Sequence, residues 1–293
     1  MRRAAGDVDV IIITFNAADY IEPCLRSLPA ASSRPMHIIV VDNASSDGTA
    51  AIVRRKVPNV TLVCNARNCY YAAACNQEIA VGDAGYILLL NPDTECPAGS
   101  IDALRDFLDL HPDAAAVAPK LVGPDGKRQN SLREFPGIDT LWYDLTGLSR
   151  LFPRSRRFGR WRMGYFDGES ICAVDQPMAS CLLVRREAFT TVGVFDERYP
   201  MFFNDVDWCR RLHEAGRTIY YTPNVTVRHL GGAATRRRKV RMIWMGHYAY
   251  GMYLLRLYRR RPITQLIVCL TAPFLVLAAI LRSFWWGVIK RLV

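Results

Sequence analysis

The strongest constraint on the fold is a rhythm in the first third of the chain. Short apolar runs, VDVIIIT at 8–14, HIIVV at 37–41, VTLVC at 60–64 and YILLL at 86–90, are separated by longer mixed stretches. The runs are β-branched or Leu-rich and bounded by polar turns, the pattern of strands buried on both faces of a parallel sheet. The stretches between them, DYIEPCLRSL, SDGTAAIVRRKV and YYAAACNQEIA, have helical spacing. Strand–helix alternation predicts an α/β doubly wound, mostly parallel sheet with helices on both faces. Several strands run straight into polar residues: Thr14 and Asn16, Asp42 and Asn43, Asn91 and Asp93. Ligands of open α/β sheets bind outside the carboxyl ends of strands, so these clusters predict one site on one rim.

Charge divides the chain. Twelve of the 38 Lys and Arg, and none of the 27 Asp and Glu, lie from Arg236 onward, which leaves 26 against 27 before it. A near-neutral body at 1–235 thus carries a basic segment at 236–293, which suits an anionic surface. Within that segment, 242–258 reads as an aromatic-rich amphipathic helix. Residues 263–281 are uncharged and mostly apolar, between RRR and RSFWW. At 1.5 Å per residue that run just reaches the roughly 30 Å thickness of a hydrocarbon core. Pro273 and the short length leave three alternatives: a spanning helix, an interfacial helix or a buried core helix. The apolar run beside the arginines argues against a nucleic-acid partner. The nine cysteines include no CxxC pair and favour a reducing compartment, with Cys64, Cys181 and Cys269 expected in the core. No apolar stretch of signal-peptide length opens the chain, so the body is expected to stay cytoplasmic. Residues 123–170 read as loops with some helix.

Neither GxGxxG nor GxxxxGK[ST] occurs, so phosphate charge must be met by something other than a glycine-rich loop. A divalent metal on a carboxylate is the natural substitute. In LLLNPDTE, Asp93 follows a buried strand and Pro92 stiffens the turn that presents it. Asn-Pro-Asp is also a common turn, and its place beside the other strand ends is what favours a site. Asp42 suits a nucleobase imide N–H or a ribose hydroxyl, while Ser46 or Asp47 would cap the helix that follows. FFNDVDWCRRL, 202–212, reads as a helix start with Asn204 as N-cap, Asp205 and Asp207 in the first turn and Gly216 as the stop. A carboxylate there is favoured in its ionised form, so Asp205 would accept a proton at neutral pH, with Phe202 and Phe203 as an apolar wall for a sugar. His229, ending a strand in NVTVRHLGG, is either structural or completes a metal shell that suits Mn²⁺ better than Mg²⁺.

Taken in order, VIIITFN, VVDNASSDGT, NARNCYYAAACNQEI, LLLNPDTE, SLREFP, VDQPMASCLLVRREAF, GVFDERYPMFFNDVDWCRRLHEAG and YYTPNVTVRHLGG resemble glycosyltransferase family 2. The likeness is to its bacterial rhamnosyltransferase-like branch and spans about residues 8–232. It implies a GT-A fold and sugar transfer from a nucleotide diphosphate donor, dTDP- or UDP-linked, with dTDP-rhamnose expected from the branch. It also implies that Thr14, Asn16 and Asp42 hold the nucleotide and that Asn68 and Asn91 belong to the donor pocket. The metal, Mg²⁺ or Mn²⁺, falls to Asp93 and His229, and the catalytic base to Asp205. One base without an enzyme nucleophile implies a single displacement with inversion. Trp208 and Arg211, one helical face along, are the acceptor-side candidates.

Two positions depart from the family pattern. Asn204 stands where a Glu usually precedes the base, and Tyr70 replaces a glycine of the Asn68–Tyr71 loop, which normally permits positive φ or close approach to a ligand. A polyprenyl-diphosphate-linked saccharide acceptor of cell-envelope polysaccharide synthesis would give the basic segment its role. It would hold the enzyme at the cytoplasmic face of the membrane, peripherally or by one C-terminal helix. The rival readings are a catalytically impaired sugar- or nucleotide-binding scaffold of the same fold, and a nucleotidyltransferase.

Overall fold

In the computed structural model, which describes residues 7–57, 59–231 and 239–292, the apolar runs become β1 (Val8–Thr14), β2 (Met36–Asp42), β3 (Thr61–Cys64) and β4 (Tyr86–Leu90). Helices α1 (Ala18–Ala31), α2 (Thr49–Lys56) and α3 (Tyr70–Val81) connect them. Next come β5 (Thr94–Glu95), α4 (Ser100–Leu110), β6 (Ala114–Val122), β7 (Leu132–Arg133), α5 (Ile138–Leu145) and α6 (Leu148–Leu151). A 3₁₀ turn at Arg160–Arg162 leads to β8 (Cys172–Ala173), β9 (Gln176–Pro177), β10 (Cys181–Arg185) and α7 (Arg186–Val192). The chain ends with α8 (Asn204–Glu214), β11 (Thr218–His229), α9 (Lys239–Leu257) and α10 (Pro262–Leu292).

The main sheet has the order β3-β2-β1-β4-β10-β6-β11-β5, with β8 beside β11. Strands β1 to β4 are mutually parallel, as are β6 and β11, and β10 runs against both of its neighbours. Pleating sends alternate residues to opposite faces. Val8, Val10 and Ile12 therefore meet α1 and α4, while Ile11 faces α3, α7 and α8. Asp9, in the middle of this apolar run, is tolerated because Arg186 Nη2 reaches its Oδ2 at 2.6 Å. β3 is the exception to burial on both faces. As the sheet's edge it leaves Cys64 exposed, and Cys269 is exposed on α10, so only Cys181 of the expected core cysteines is buried.

Helix starts differ from the capping expectations. Gly48, with φ +89°, precedes α2, and Asp47 instead bridges the Ala18 and Thr49 N–H groups at 3.0 and 3.1 Å. Phe203, with φ +67°, occupies the N-cap of α8, and buried Asn204 donates back to Tyr199 O at 3.1 Å.

The boundary expected between 235 and 236 lies outside the described residues. Beyond it, α9 is part of the body's packing: Ala249, Tyr250, Tyr253 and Leu254 share one core with Leu141, Tyr199, Phe203 and Val206. Helix α10 folds back on α9 and α5. It is long and apolar enough to cross a membrane and is mostly exposed, which removes the buried core helix as an alternative.

Candidate active site

Strand register builds the rim. Ile12 pairs with Leu90 and Thr14 with Asp42, so Thr14, Asp42 and the turn Asn91–Asp93 emerge together at the carboxyl edge. Thr14 Oγ1 donates to Asp42 Oδ1 at 3.0 Å, and the Ser45 N–H donates to Asp42 Oδ2 at 3.0 Å. Asn16 Oδ1 accepts the Ser46 N–H at 2.9 Å, and its own N–H meets Ser45 Oγ at 2.9 Å. These bonds fix the 42–47 loop as a stiff lip and leave carboxylate lone pairs for a further donor.

Beside the lip stands the Asn68–Tyr71 loop. Tyr70 keeps the left-handed backbone of the glycine it replaces, φ +64°. That conformation costs a non-glycine residue about 1–2 kcal/mol. It is held from both sides: Asn68 Oδ1 accepts the Tyr70 N–H at 2.8 Å and Asn43 Nδ2 donates to Tyr70 O at 3.1 Å. Arg241 of α9 bonds the Tyr70 hydroxyl, so α9 closes over this loop.

Asp93 and His229 meet at the end of β11, where His229 Nε2 lies 3.4 Å from Asp93 Oδ1, and both side chains are nearly inaccessible. Gln129 decides the tautomer. Its Nε2 donates to His229 O at 2.6 Å, which turns its Oε1 to His229 Nδ1 at 2.7 Å and requires the hydrogen there. His229 Nε2 then faces the Asp93 carboxylate, buried and without a hydrogen-bond partner. A bound cation resolves that arrangement, so the pair fits a divalent metal with an oriented histidine. Among the described residues there is no cluster of three or more such ligands. Two suffice when substrate phosphates supply other oxygens.

Asp205 opens α8. Its Oδ1 accepts the Val206 N–H at 2.9 Å and its Oδ2 the Gln176 side-chain N–H at 2.9 Å. The helix start is not the only influence on its ionisation. Burial pushes its carboxyl above the usual range, against the opposing pull of the Val206 N–H and the positive Arg133. A carboxylate so placed is the stronger base once ionised. The segment from Gln176 to Ser180 connects it to the rim, because Asn91 Nδ2 donates to Ser180 Oγ at 3.1 Å and Tyr71 Oη to Ala179 O at 3.4 Å.

The profile of "Glycosyl transferase family 2" matches residues 9–189. An N-acetylglucosaminyl-diphospho-decaprenol L-rhamnosyltransferase of Mycobacterium tuberculosis is 35% identical over 243 residues, 78% of this chain and 77% of that one. The chain belongs to glycosyl transferase family 2. Rhamnosyltransferase WbbL of Escherichia coli is a more distant relative, 26% identical over 74% of this chain and 80% of its own. Among solved structures, S. aureus TarS (residues 1–349) aligns with a TM-score of 0.53 and 17% identity, over 82% of this chain and 65% of TarS. GalNAc-T7, solved with UDP, GalNAc and Mn²⁺, aligns with a TM-score of 0.56 and 12% identity, over 76% of this chain and 43% of that protein. These likenesses give the family 2 chain its GT-A fold. It is a glycosyltransferase, which removes the nucleotidyltransferase reading.

The acceptor side of this family 2 enzyme differs from the sequence expectation. Trp208 is 0% exposed, stacks on Phe189 at 4.6 Å and donates to Gly193 O at 3.0 Å, so it is core. Arg211 is a strut: it bonds Asp207 at 2.9 Å, Val194 O at 2.8 Å and Val192 O. Trp208 is thus enclosed, whereas Arg211 also lines a separate cleft with Arg210 and Arg256. Phe202 and Phe203 both line the cleft, Phe203 packed largely under Tyr250 and Tyr253. The cleft itself, about 640 Å³, lies between the body and the α9–α10 hairpin, with Asp205, Gln176 and Arg133 on one side and Gly246, Tyr250 and Arg282 on the other. Gln129, Gln176 and Arg133 received no role from sequence. The last two sit in the matching segments VDQPMAS and SLREFP, the one signal that could have found them.

Proposed function

We propose that this glycosyltransferase moves rhamnose, carried as dTDP-rhamnose, onto a hydroxyl of a saccharide borne on a polyprenyl diphosphate, with inversion. The observation that carries this reading is Asp205, oriented by Gln176 and opening onto the cleft shared with the C-terminal hairpin. The acceptor and sugar named for the mycobacterial relative support the substrate classes.

Thr14, Asn16 and Asp42 bind the nucleoside at the rigid lip, and Asn68 and Asn91 bound the donor pocket. Asp93 and His229 would hold Mn²⁺ or Mg²⁺, whose chemistry when bound is to neutralise charge collecting on the departing diphosphate. Asp205 takes the proton of the acceptor hydroxyl as its oxygen bonds the anomeric carbon and the bond to the nucleotide diphosphate breaks. A single displacement of this kind inverts the carbon. Tyr70 and Asn204, the departures behind the scaffold reading, leave Asp205 and its partners in place. The enzyme works at the cytoplasmic membrane face, where a lipid acceptor presents its sugar.

The test offers full-length protein dTDP-rhamnose or UDP-hexoses with a lipid diphosphate saccharide, with and without Mn²⁺. Turnover is expected with dTDP-rhamnose and is lost on chelation. Asp205→Asn lowers kcat by roughly 10²–10⁴-fold and leaves nucleotide affinity unchanged. An unchanged kcat would refute the base, and no transfer to any lipid diphosphate would refute the reaction.

A further inference from the structure

Positive charge outweighs negative around the Asp205 cleft. Arg133 enters it from β7, Arg162 from the 3₁₀ turn and Arg282 from α10. Asp144 answers one of these: Arg162 Nη1 and Nη2 bond its two oxygens at 2.6 and 2.8 Å. The other two guanidinium groups bond neutral partners. Arg133 Nη1 donates to Asn130 O, Asn130 Oδ1 and Leu132 O at 2.8, 3.1 and 2.7 Å, and Arg282 Nη1 meets His247 Nε2 at 3.1 Å. Burial, with Arg162 nearby, pushes the Arg133 guanidinium down to about 10. Like charges held together in a walled cleft focus a field that an anion relieves.

We infer that Arg133, Arg162 and Arg282 form the acceptor's phosphate site, holding the diphosphate that joins its sugar to a lipid chain beside Asp205. This rests on the transfer reading above and adds to it the residues that recognise the carrier. Two observations separate the site from the donor's. The donor residues stand on the rim at the ends of β1, β2 and β4, whereas this cluster faces the α9–α10 hairpin. Arg282 also belongs to the helix whose outer face is apolar, so its ligand is anionic in the cleft and has an apolar surface to follow beyond it. Guanidinium forks match phosphate oxygens bidentately, which an ammonium group does not.

The test uses full-length protein and a short-chain, detergent-soluble acceptor, so that membrane anchoring does not enter. Arg282→Gln and Arg133→Gln are compared with wild type for acceptor KM, donor KM and hydrolysis of the donor by water. Each variant is expected to raise the acceptor KM at least about 10-fold while donor KM stays unchanged, and Arg282→Gln, which does not touch Asp205, is expected to leave donor hydrolysis unchanged as well. Wild type is expected to prefer the diphosphate acceptor to its monophosphate analogue, and Arg282→Gln to lose that preference. Vesicle flotation of Arg282→Gln, on vesicles containing phosphatidylglycerol, is expected to match wild type. A raised donor KM would move the site to the donor, and lost flotation with unchanged acceptor KM would move it to lipid headgroups. Either outcome, or an unchanged acceptor KM in an active wild type, overturns this inference alone. No wild-type transfer overturns the underlying reaction.

Discussion

Asp205 works as a base only when ionised, and its surroundings pull in opposite directions. Burial disfavours the charge, while the Val206 N–H and Arg133 favour it. The activity of the enzyme therefore falls as pH drops through a value above that of an ordinary aspartate. Removing the positive neighbour removes one of the groups that favour the ionised form. In Arg133→Gln, the acid limb of kcat measured at saturating acceptor is expected to move to higher pH. A limb that stays put, or moves down, would show that Arg133 does not act on Asp205. Sequence singled out Asp205, Asp93, Asp42 and Thr14 because each lies at or next to the end of an element whose period is visible locally. Periodicity could not expose Gln129 or Gln176, whose partners His229 and Asp205 lie 100 and 29 positions away. A glutamine between turns carries no periodic signal. Trp208 and Arg211 misled for the complementary reason: a helix shows which residues share a face, but not whether that face meets solvent or core.

The elements themselves were read well where the apolar rhythm was strong and poorly where a backbone conformation decided the start. Phe203 and Tyr70 both take left-handed geometry that no propensity assigns to an aromatic residue. Each is held by tertiary contacts, Phe203 by Trp161, Tyr250 and Tyr253, and Tyr70 by Asn43 and Arg241. In both cases α9 supplies part of the support, which makes that helix a structural wall of the active site. Arg256 of α9 adds an ionic tie to Asp196 and Asp207 of the body. Leu254 tests the packing directly, since it is 0% exposed within the shared core. Leu254→Ala is expected to cost about 2–5 kcal/mol. The melting temperature of the solubilised protein should fall by several degrees, and exchange of α9 backbone amides should rise. An unchanged melting temperature would mean that the hairpin is an appendage, as the charge division of the sequence alone suggested.

At the scale of the whole molecule, the placement of α10 bears on how it would meet a membrane. Val268, Thr271, Leu275 and Ala279 are buried and recur every three or four residues, so one stripe faces the protein. Near its far end Arg282 meets His247, and Trp142 of α5 packs on Phe274 at 5.3 Å. If these contacts persist at a membrane, α10 is expected to lie on the bilayer rather than cross it. Its opposite face exposes Ile263, Leu266, Leu270, Leu277, Leu281 and Trp285, an apolar strip with arginines before it, as an in-plane helix requires. Such a pose brings the cleft and its arginines to headgroup level, where the diphosphate of a lipid carrier resides. Single cysteines placed at Ile263 and Trp285, in a chain with the accessible Cys64, Cys69, Cys172 and Cys269 replaced, report the topology. Membrane-impermeant thiol reagent applied to inside-out vesicles is expected to label both positions, and applied to right-side-out vesicles neither. Labelling of one position from each side would mean that α10 leaves the body and spans. The phosphate site built on Arg282 would then lose its helix.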